Sequence, residues 1–238
     1  MKNKIIHIAK KTINTEIAGL EKLSKSININ FVKAIGILKK TKGKIILTGI
    51  GKSGIIANKI SSTLSSTGSP SQFIHPSEAS HGDLGMLNKK DSIIALTFSG
   101  KTNELNDIFY YSKKNKIPLI IVTSKSNANL NNLANVCIEL TMLQEACPLK
   151  LAPTTSTTAM AVLGDAIAMV LMSEKKFTKK DFYSLHPGGE LGKKLLLVKN
   201  IMHTGKKIPL VMENTLMTDV IIEMSKKRLG CVGILSKN

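Results

Sequence analysis

The chain changes its pattern of apolar positions near Lys44. Between residues 4 and 40, apolar side chains recur every three or four positions, which predicts two amphipathic helices. The residues that define them are Ile13, Ile17, Leu20 and Leu23 in the first helix and Phe31, Ile35 and Leu38 in the second. After Lys44, short runs rich in β-branched residues alternate with segments of helical spacing, which is typical of consecutive βαβ units.

Five of these runs are predicted to be the strands of one parallel sheet. Two of them, residues 93–96 and 119–122, are apolar at every position, as expected for strands that helices cover on both faces. The predicted fold class is therefore α/β, a three-layer α/β/α sandwich around a five-stranded parallel sheet. The predicted strands are residues 44–49, 71–75, 92–98, 119–123 and 136–140.

The part of the chain after the sheet is predicted to contain one long helix and a small second domain. Residues 155–172 are almost wholly apolar and follow a run of Thr and Ser, which predicts a buried helix with a hydroxyl cap. We place the first domain at residues 1–197 and the second at residues 198–238. The second would hold a strand, a helix and a strand, too little to close a core of its own, so it is expected to dock elsewhere or to be a fragment.

Composition and charge narrow the class of protein. The 238 residues carry a formal charge of +18, but every basic residue except Arg228 is a lysine, and there is no tryptophan. Base recognition favours arginine and interleaved aromatic side chains, so we expect no nucleic-acid partner, and the charge can instead draw an anionic substrate into a cleft. We also expect no membrane partner and a cytoplasmic location, because no uninterrupted apolar run reaches about 18 residues and the first residues lack a secretory apolar stretch. The cysteines Cys137, Cys147 and Cys231 form no C-x-x-C pair, which indicates neither a disulfide framework nor a structural zinc site.

A glycine-rich turn, residues 49–54, joins the first predicted strand to a helix. Its sequence is Gly-Ile-Gly-Lys-Ser-Gly, and the exposed amides at such a helix start favour an anion. A Walker A loop would need glycine where Ile46 stands, and a dinucleotide site would need an acidic residue where His75 ends the next strand. A tight turn without a ligand is the structural alternative.

A second hydroxyl-rich turn follows the third predicted strand, in residues 97–104. Its sequence is Thr-Phe-Ser-Gly-Lys-Thr-Asn-Glu, so hydroxyls and amides again gather where a strand leads into a helix. Alone it could be an ordinary helix cap. Two such turns on neighbouring strands predict a phosphorylated ligand.

Four further residues could carry acid–base or metal chemistry. Glu145 lies just after the last predicted strand, and His186 lies in a turn before another helix. His75 and His81 are close enough in sequence to share a metal ion, although no third ligand is near. Each could equally be a solvated or structural residue.

These segments together resemble the sugar isomerase (SIS) domain, and more closely the family of D-arabinose 5-phosphate isomerases. The similarity rests on five motifs in order along the chain, which are residues 49–54, 75–86, 145–149, 151–159 and 186–192. The resemblance implies a flavodoxin-like sheet and isomerisation of D-ribulose 5-phosphate to D-arabinose 5-phosphate through a cis-enediol. It also implies a role in supplying keto-deoxy-octulosonate for lipopolysaccharide, a homo-oligomer that is a dimer or tetramer, and no required cofactor.

The resemblance also assigns site residues. The catalytic positions of the family fall on Lys52, Glu104, Glu145 and His186. The substrate-binding positions are Gly51, Ser53, His75, His81, Thr97, Ser99, Gly100, Thr102, Thr155 and Ser156, and His75 is in addition the position of an inhibitory zinc ion. Two positions depart from the family pattern, because Thr97 replaces a serine and Lys101 replaces a glutamate.

Residues from Asn200 onward resemble the start of a cystathionine-β-synthase (CBS) module.

Three other functions stay open. A phosphosugar sensor that controls transcription would carry a basic recognition helix, and residues 1–40 show no such face. An isomerase that acts on another sugar phosphate would share the predicted fold. A nucleic-acid-binding function is supported only by the positive charge of the chain.

Overall fold

The computed structural model describes residues 2–141, 144–186 and 197–236. By its internal contacts the chain divides into two compact units, residues 1–185 and residues 186–238. The predicted domain boundary between residues 197 and 198 lies inside the second of these units and stays a prediction.

Two helices precede the sheet, as the periodicity predicts. The first, α1, spans Lys2–Ser26, and the second, α2, spans Ile29–Lys40. The break between them is set by Asn28, whose side chain accepts a hydrogen bond from the N–H of Asn30 at 2.8 Å and so caps the start of α2.

The five predicted strands form one parallel sheet, which confirms the predicted architecture. The strands are β1 (Ile45–Gly49), β2 (Ser71–Phe73), β3 (Ser92–Leu96), β4 (Leu119–Thr123) and β5 (Val136–Glu139). Their order across the sheet is β2-β1-β3-β4-β5, and each neighbouring pair is parallel. Strands β2 and β3 end two residues earlier than predicted, because the chain turns there into the loops of the candidate site.

Helices cover both faces of the sheet. One face is covered by α1, α2, α3 (Gly51–Ser66) and α7 (Thr155–Glu174). The other face is covered by α4 (Pro76–Ser80), α5 (Asn106–Asn115) and α6 (Ala128–Leu133). Alternate residues of β1 enter the two cores, Leu47 on the α3 side and Ile46 on the α5 side. The unit ends with α8 (Lys179–Leu185), and short 3-10 turns lie at Asp83–Met86 and Asn103–Leu105.

The helix α7 is the predicted buried helix and runs two residues further than predicted. Its length and composition would suffice to cross a membrane, but half of its most apolar stretch is buried inside the unit. It packs on α3 so closely that a Cβ added to Gly164 would lie 2.3 Å from Cγ1 of Ile60. In this unit it is a core helix, and its apolar surface is explained by packing.

The second unit contains the predicted strand, helix and strand. Its elements are α9 (Val198–Ile201), a 3-10 turn (Gly205–Lys207), β6 (Leu210–Met212), α10 (Met217–Lys227) and β7 (Gly233–Leu235). The two strands pair in parallel. Among residues 197–236, Pro209 is the only buried residue, so the described part of this unit has almost no core. Its resemblance to a CBS module stays a prediction.

Candidate active site

The glycine turn after β1 is built from close backbone contacts. A Cβ on Gly54 would lie 2.5 Å from the carbonyl oxygen of Gly49, so the turn closes only with glycine at residue 54. Gly51 has a φ of +58°, which favours glycine, and it begins α3. Lys52 is exposed in the first turn of α3, and Ser53 beside it is partly buried. The predicted Gly51, Lys52 and Ser53 therefore all lie at a helix amino terminus, where backbone N–H groups point outward.

The turn after β3 is held by its own hydroxyls. The Oγ1 atoms of Thr97 and Thr102 are 2.9 Å apart, and the N–H of Gly100 donates to the carbonyl of Thr97 at 3.2 Å. Ser99 Oγ accepts from the N–H of Lys101 at 3.3 Å, which leaves the hydroxyl proton of Ser99 free to donate to a ligand. Thr97 keeps the hydroxyl expected at its position, and Lys101 is exposed.

The two turns leave the sheet side by side. Strands β1 and β3 are neighbours, and Gly49 lies opposite Leu96 in their register. Neighbouring strands are about 4.8 Å apart. Lys52 and Glu104 therefore follow adjacent strands at the carboxyl edge of the sheet, as predicted.

A polar cleft of about 480 Å³ borders the second turn. It is lined by Thr97, Gly100, Lys101 and Thr102 of that turn and by four asparagines. These are Asn103, Asn106, Asn127 and Asn129. Asn103 begins the 3-10 turn before α5, Asn106 begins α5, and Asn127 and Asn129 lie at the start of α6. They were not predicted as site residues, because asparagine at a helix start is usually interpreted from sequence as a cap.

Glu145 is held firmly at the amino terminus of α7. Its Oε2 accepts hydrogen bonds from the N–H of Thr154 at 2.6 Å, from Oγ1 of Thr154 at 2.9 Å and from the N–H of Ser156 at 3.4 Å. Burial raises the pKa of this carboxyl, but hydrogen bonds from Ser156 and Thr154 outweigh it, and the net pKa is lower than usual. Thr154 was missed by the sequence analysis, although its place in a hydroxyl-rich helix start could have signalled it.

The helices α3 and α7 run parallel to each other. Their middles meet where Ile60 contacts Gly164, and their carboxyl ends meet where Nζ of Lys175 donates to the carbonyl of Gly68 at 3.2 Å. Both helices therefore point their amino termini toward the carboxyl edge of the sheet.

The amino termini of these two helices are also level. From the contact between Ile60 and Gly164, nine residues lead back to Gly51 in one helix and nine lead back to Thr155 in the other. The axes of helices packed this closely are about 8 to 10 Å apart. Glu145 follows β5 at the far edge of the sheet, and yet α7 brings it to the end of the sheet where Lys52 lies.

Thr155 and Ser156 are buried, with 1% and 2% of their surfaces exposed. Oγ1 of Thr155 has no hydrogen-bond partner within the described residues, and neither has Oγ1 of Thr48, at the carboxyl end of β1. Buried hydroxyls normally find a partner, so these two mark places where a ligand hydroxyl or a water would be stabilised. Their predicted contact with substrate stays a prediction.

His75 and His81 flank α4, and both are exposed. Nδ1 of His75 accepts a hydrogen bond from the N–H of Ser77 at 3.3 Å, so the neutral ring carries its proton on Nε2. A zinc ion on Nε2 would need the other tautomer and would cost this cap. Among the described residues, no group of three or more His, Cys, Asp or Glu side chains is placed to hold a metal ion.

The remaining predicted catalytic residue, His186, is the first residue of the second unit. Its predicted place beside the other three stays a prediction. The rest of its motif, residues 187–192, lies outside the described residues. The topology thus places Lys52, Glu104 and Glu145 at the same end of the first unit, and their convergence in one active site stays a prediction.

A parallel sheet with two hydroxyl- and amide-rich turns at its carboxyl edge is the arrangement expected of an α/β domain that binds a phosphorylated ligand. The SIS domain profile matches residues 37–170, more than half of the chain, so the chain belongs to the SIS domain family.

Similarity to individual proteins narrows the family. The arabinose 5-phosphate isomerase of Pseudomonas aeruginosa is 44% identical over 234 residues, which cover 98% of this chain and 72% of that protein. That of Yersinia pestis is 44% identical over 222 residues, 93% of this chain and 68% of the relative. An Escherichia coli CFT073 protein solved in complex with arabinose 5-phosphate has a TM-score of 0.75 and 38% identity over 79% of this chain and all of that one. The chain is a member of the arabinose 5-phosphate isomerase family and is a sugar-phosphate isomerase.

Proposed function

We propose that the protein interconverts D-ribulose 5-phosphate and D-arabinose 5-phosphate through a cis-enediol. The observation that carries the proposal is that two turns rich in backbone amides and hydroxyls lie at the same end of the sheet as the carboxylates of Glu104 and Glu145. The names of the similar enzymes support the choice of substrate.

The phosphate of the substrate is placed at the turn after β3. The hydroxyls of Ser99 and Thr102 and the amides around Gly100 would donate to its oxygens, and Lys101 adds a positive charge at the rim of the cleft. With the phosphate held there, the sugar carbons extend toward the turn after β1. Lys52 at that turn would stabilise the negative charge of the enediolate.

Isomerisation moves one proton between two carbons. A carboxylate removes a proton from C1 of the ketose while O2 takes up a proton, which gives the cis-enediol. O1 then loses its proton and C2 receives one from the carboxyl group, which gives the aldose. General acid–base catalysis of this kind contributes roughly 10² to 10⁴ in rate. Glu104 and Glu145 are the candidates for this carboxylate, and His186 is proposed to protonate the sugar oxygen or to open the sugar ring.

The proposal also covers the cofactor requirement, the pathway, the cellular location and the oligomeric state. The reaction requires no organic cofactor, and zinc at His75 would inhibit it. The product would supply keto-deoxy-octulosonate for lipopolysaccharide in the cytoplasm, with the protein acting as a dimer or tetramer on a free sugar phosphate.

The test is direct conversion. Purified protein is incubated with ribulose 5-phosphate, and the appearance of arabinose 5-phosphate is followed by NMR. Conversion that is lost on Lys52→Met and retained on Lys40→Met, a change at the opposite end of the sheet, is the expected result. Binding of the sugar phosphate without conversion would contradict the proposal and favour a sensor, and conversion of a hexose or heptose phosphate alone would favour another isomerase.

A further inference from the structure

We propose that Glu145 is a positioning residue, which holds the amino terminus of α7 in place, and that Glu104 alone transfers the proton between the two substrate carbons. This inference rests on the isomerisation proposed above. It separates two carboxylates that the sequence leaves equivalent.

Glu145 is joined to α7 through a closed set of hydrogen bonds. Its Oε2 accepts from the N–H and the hydroxyl of Thr154, nine residues later, and from the N–H of Ser156. Oγ1 of Thr154 accepts in turn from the N–H of Ala146 at 2.8 Å. Thr154 is the N-cap residue of α7, yet its own side chain makes no cap hydrogen bond. Glu145 supplies the missing cap and fastens both ends of the intervening loop together.

A carboxylate held in this way is a poor base for carbon. Three donors and the positive end of a helix dipole stabilise its anionic form. Protonation at either oxygen withdraws charge from Oε2 and weakens all three hydrogen bonds, so uptake of a proton from C–H would work against the cap. The lowered pKa of Glu145 agrees with this account.

Glu104 has the opposite surroundings. It is exposed in the 3-10 turn Asn103–Leu105, at the end of the turn after β3, and within the described residues it makes no hydrogen bond or ion pair. Its carboxylate can therefore take and return a proton without breaking a protein contact. Its position on the chain, two residues after Thr102, ties it to the group that would hold the phosphate.

The cap has a consequence for the site. It fixes Thr155, whose buried Oγ1 lacks a partner within the described residues, and Ser156 beside it. Loss of the cap would let the start of α7 fray and would displace both side chains, whereas a neutral side chain with an acceptor oxygen would keep them in place. The effect of a substitution at Glu145 on turnover should then depend on whether the new side chain can still cap α7, and not on whether it is charged.

Four variants distinguish positioning from proton transfer. Glu145→Gln keeps an acceptor oxygen for Thr154, so it is expected to keep turnover within about tenfold of the parent, while Glu145→Ala loses more and raises KM. Glu104→Gln is expected to lose about 100-fold or more in kcat. Glu139→Gln is the control, because Glu139 also accepts from a backbone N–H, that of Ser126 at 3.0 Å, and should leave turnover unchanged.

Two readouts complete the test. In D₂O, the parent and Glu145→Gln should place deuterium at C2 of the product, and Glu104→Gln should not. Hydrogen–deuterium exchange at the amides of residues 154–158 should speed up in Glu145→Ala and stay slow in Glu145→Gln. This exchange measures the cap even if the parent converts no ribulose 5-phosphate, so a failed function and a failed cap are told apart. A Glu145→Gln protein as inactive as Glu145→Ala, with the cap intact by exchange, would overturn the proposal.

Discussion

Gly54 shows how one residue controls the shape of the turn after β1. An added Cβ would meet the carbonyl oxygen of Gly49, a backbone atom that cannot move without shifting β1. Glu145 shows how one residue sets the local charge, because hydrogen bonds from the start of α7 stabilise its carboxylate as an anion. Single residues therefore set both the shape and the charge of this end of the sheet.

The first prediction concerns the turn after β1. Gly54→Ala is expected to destabilise the protein by about 1 to 3 kcal/mol, since the new methyl group must push the backbone of Gly49 aside. The KM for the sugar phosphate should rise with it. Urea unfolding and steady-state kinetics measure both effects. Gly85→Ala is the control, because a Cβ at Gly85 meets nothing within 4 Å. Equal effects of the two changes would contradict the explanation.

The second prediction concerns acid stability. The pKa of the Glu145 carboxyl is lower in the folded protein than its ordinary value of 4.5, which applies to the unfolded chain. At a pH between these two pKa values, the unfolded state therefore binds more protons than the folded state. The stabilisation is complete above the ordinary value and is lost as pH falls through the lowered one. The difference in unfolding free energy between the parent and Glu145→Gln should therefore be constant well above pH 4.5 and shrink as the pH falls below this ordinary value. A difference that does not change with pH would count against the cap.

At the scale of elements, the packing of α7 against α3 decides the geometry of the site. The contact of Gly164 with Ile60 sets how near the two helices come and keeps their amino termini level. The sequence predicts α7 as an apolar helix from residue 155, but its uniform hydrophobicity does not indicate which neighbour it contacts. This close packing of α7 on α3 requires that residue 164 has no side chain.

The third prediction tests this contact. Gly164→Ala is expected to cost about 1 to 3 kcal/mol of stability, because the methyl group would overlap the buried side chain of Ile60. Gly36→Ala, in the exposed part of α2 where nothing lies within 4 Å, should instead stabilise by about 0.5 to 1 kcal/mol through helix propensity. Thermal unfolding of both variants gives the comparison. A neutral Gly164→Ala would show that the helices have room to spare.

At the scale of the molecule, the two units differ in how much they bury. The first unit has two hydrophobic cores, one on each face of the sheet. In the described part of the second unit, large apolar side chains such as Ile221, Ile222 and Ile234 are more than half exposed. Short chains without a core are marginally stable, so residues 197–236 are expected to contribute little to the stability of the protein.

The fourth prediction follows from this difference. A peptide of residues 197–236 is expected to show little helix by circular dichroism at 25 °C, because its helix α10 has no buried face to stabilise it. A cooperative thermal transition of the peptide would contradict this expectation. Residues 1–185 are the matched control and should unfold cooperatively.

The amino-acid sequence by itself determined the elements and the local chemistry of this protein. Helical and alternating periodicities define the two leading helices and the five strands, because burial of one face acts on neighbouring positions of the chain. The turns after β1 and β3 were also predicted, since glycine and hydroxyl side chains act within a few residues. Tertiary structure alone decided that Glu145, beyond the far edge of the sheet, caps the helix that lies beside Lys52. That arrangement depends on contacts between residues far apart in sequence, such as Gly164 with Ile60, and a local sequence pattern does not reveal such contacts.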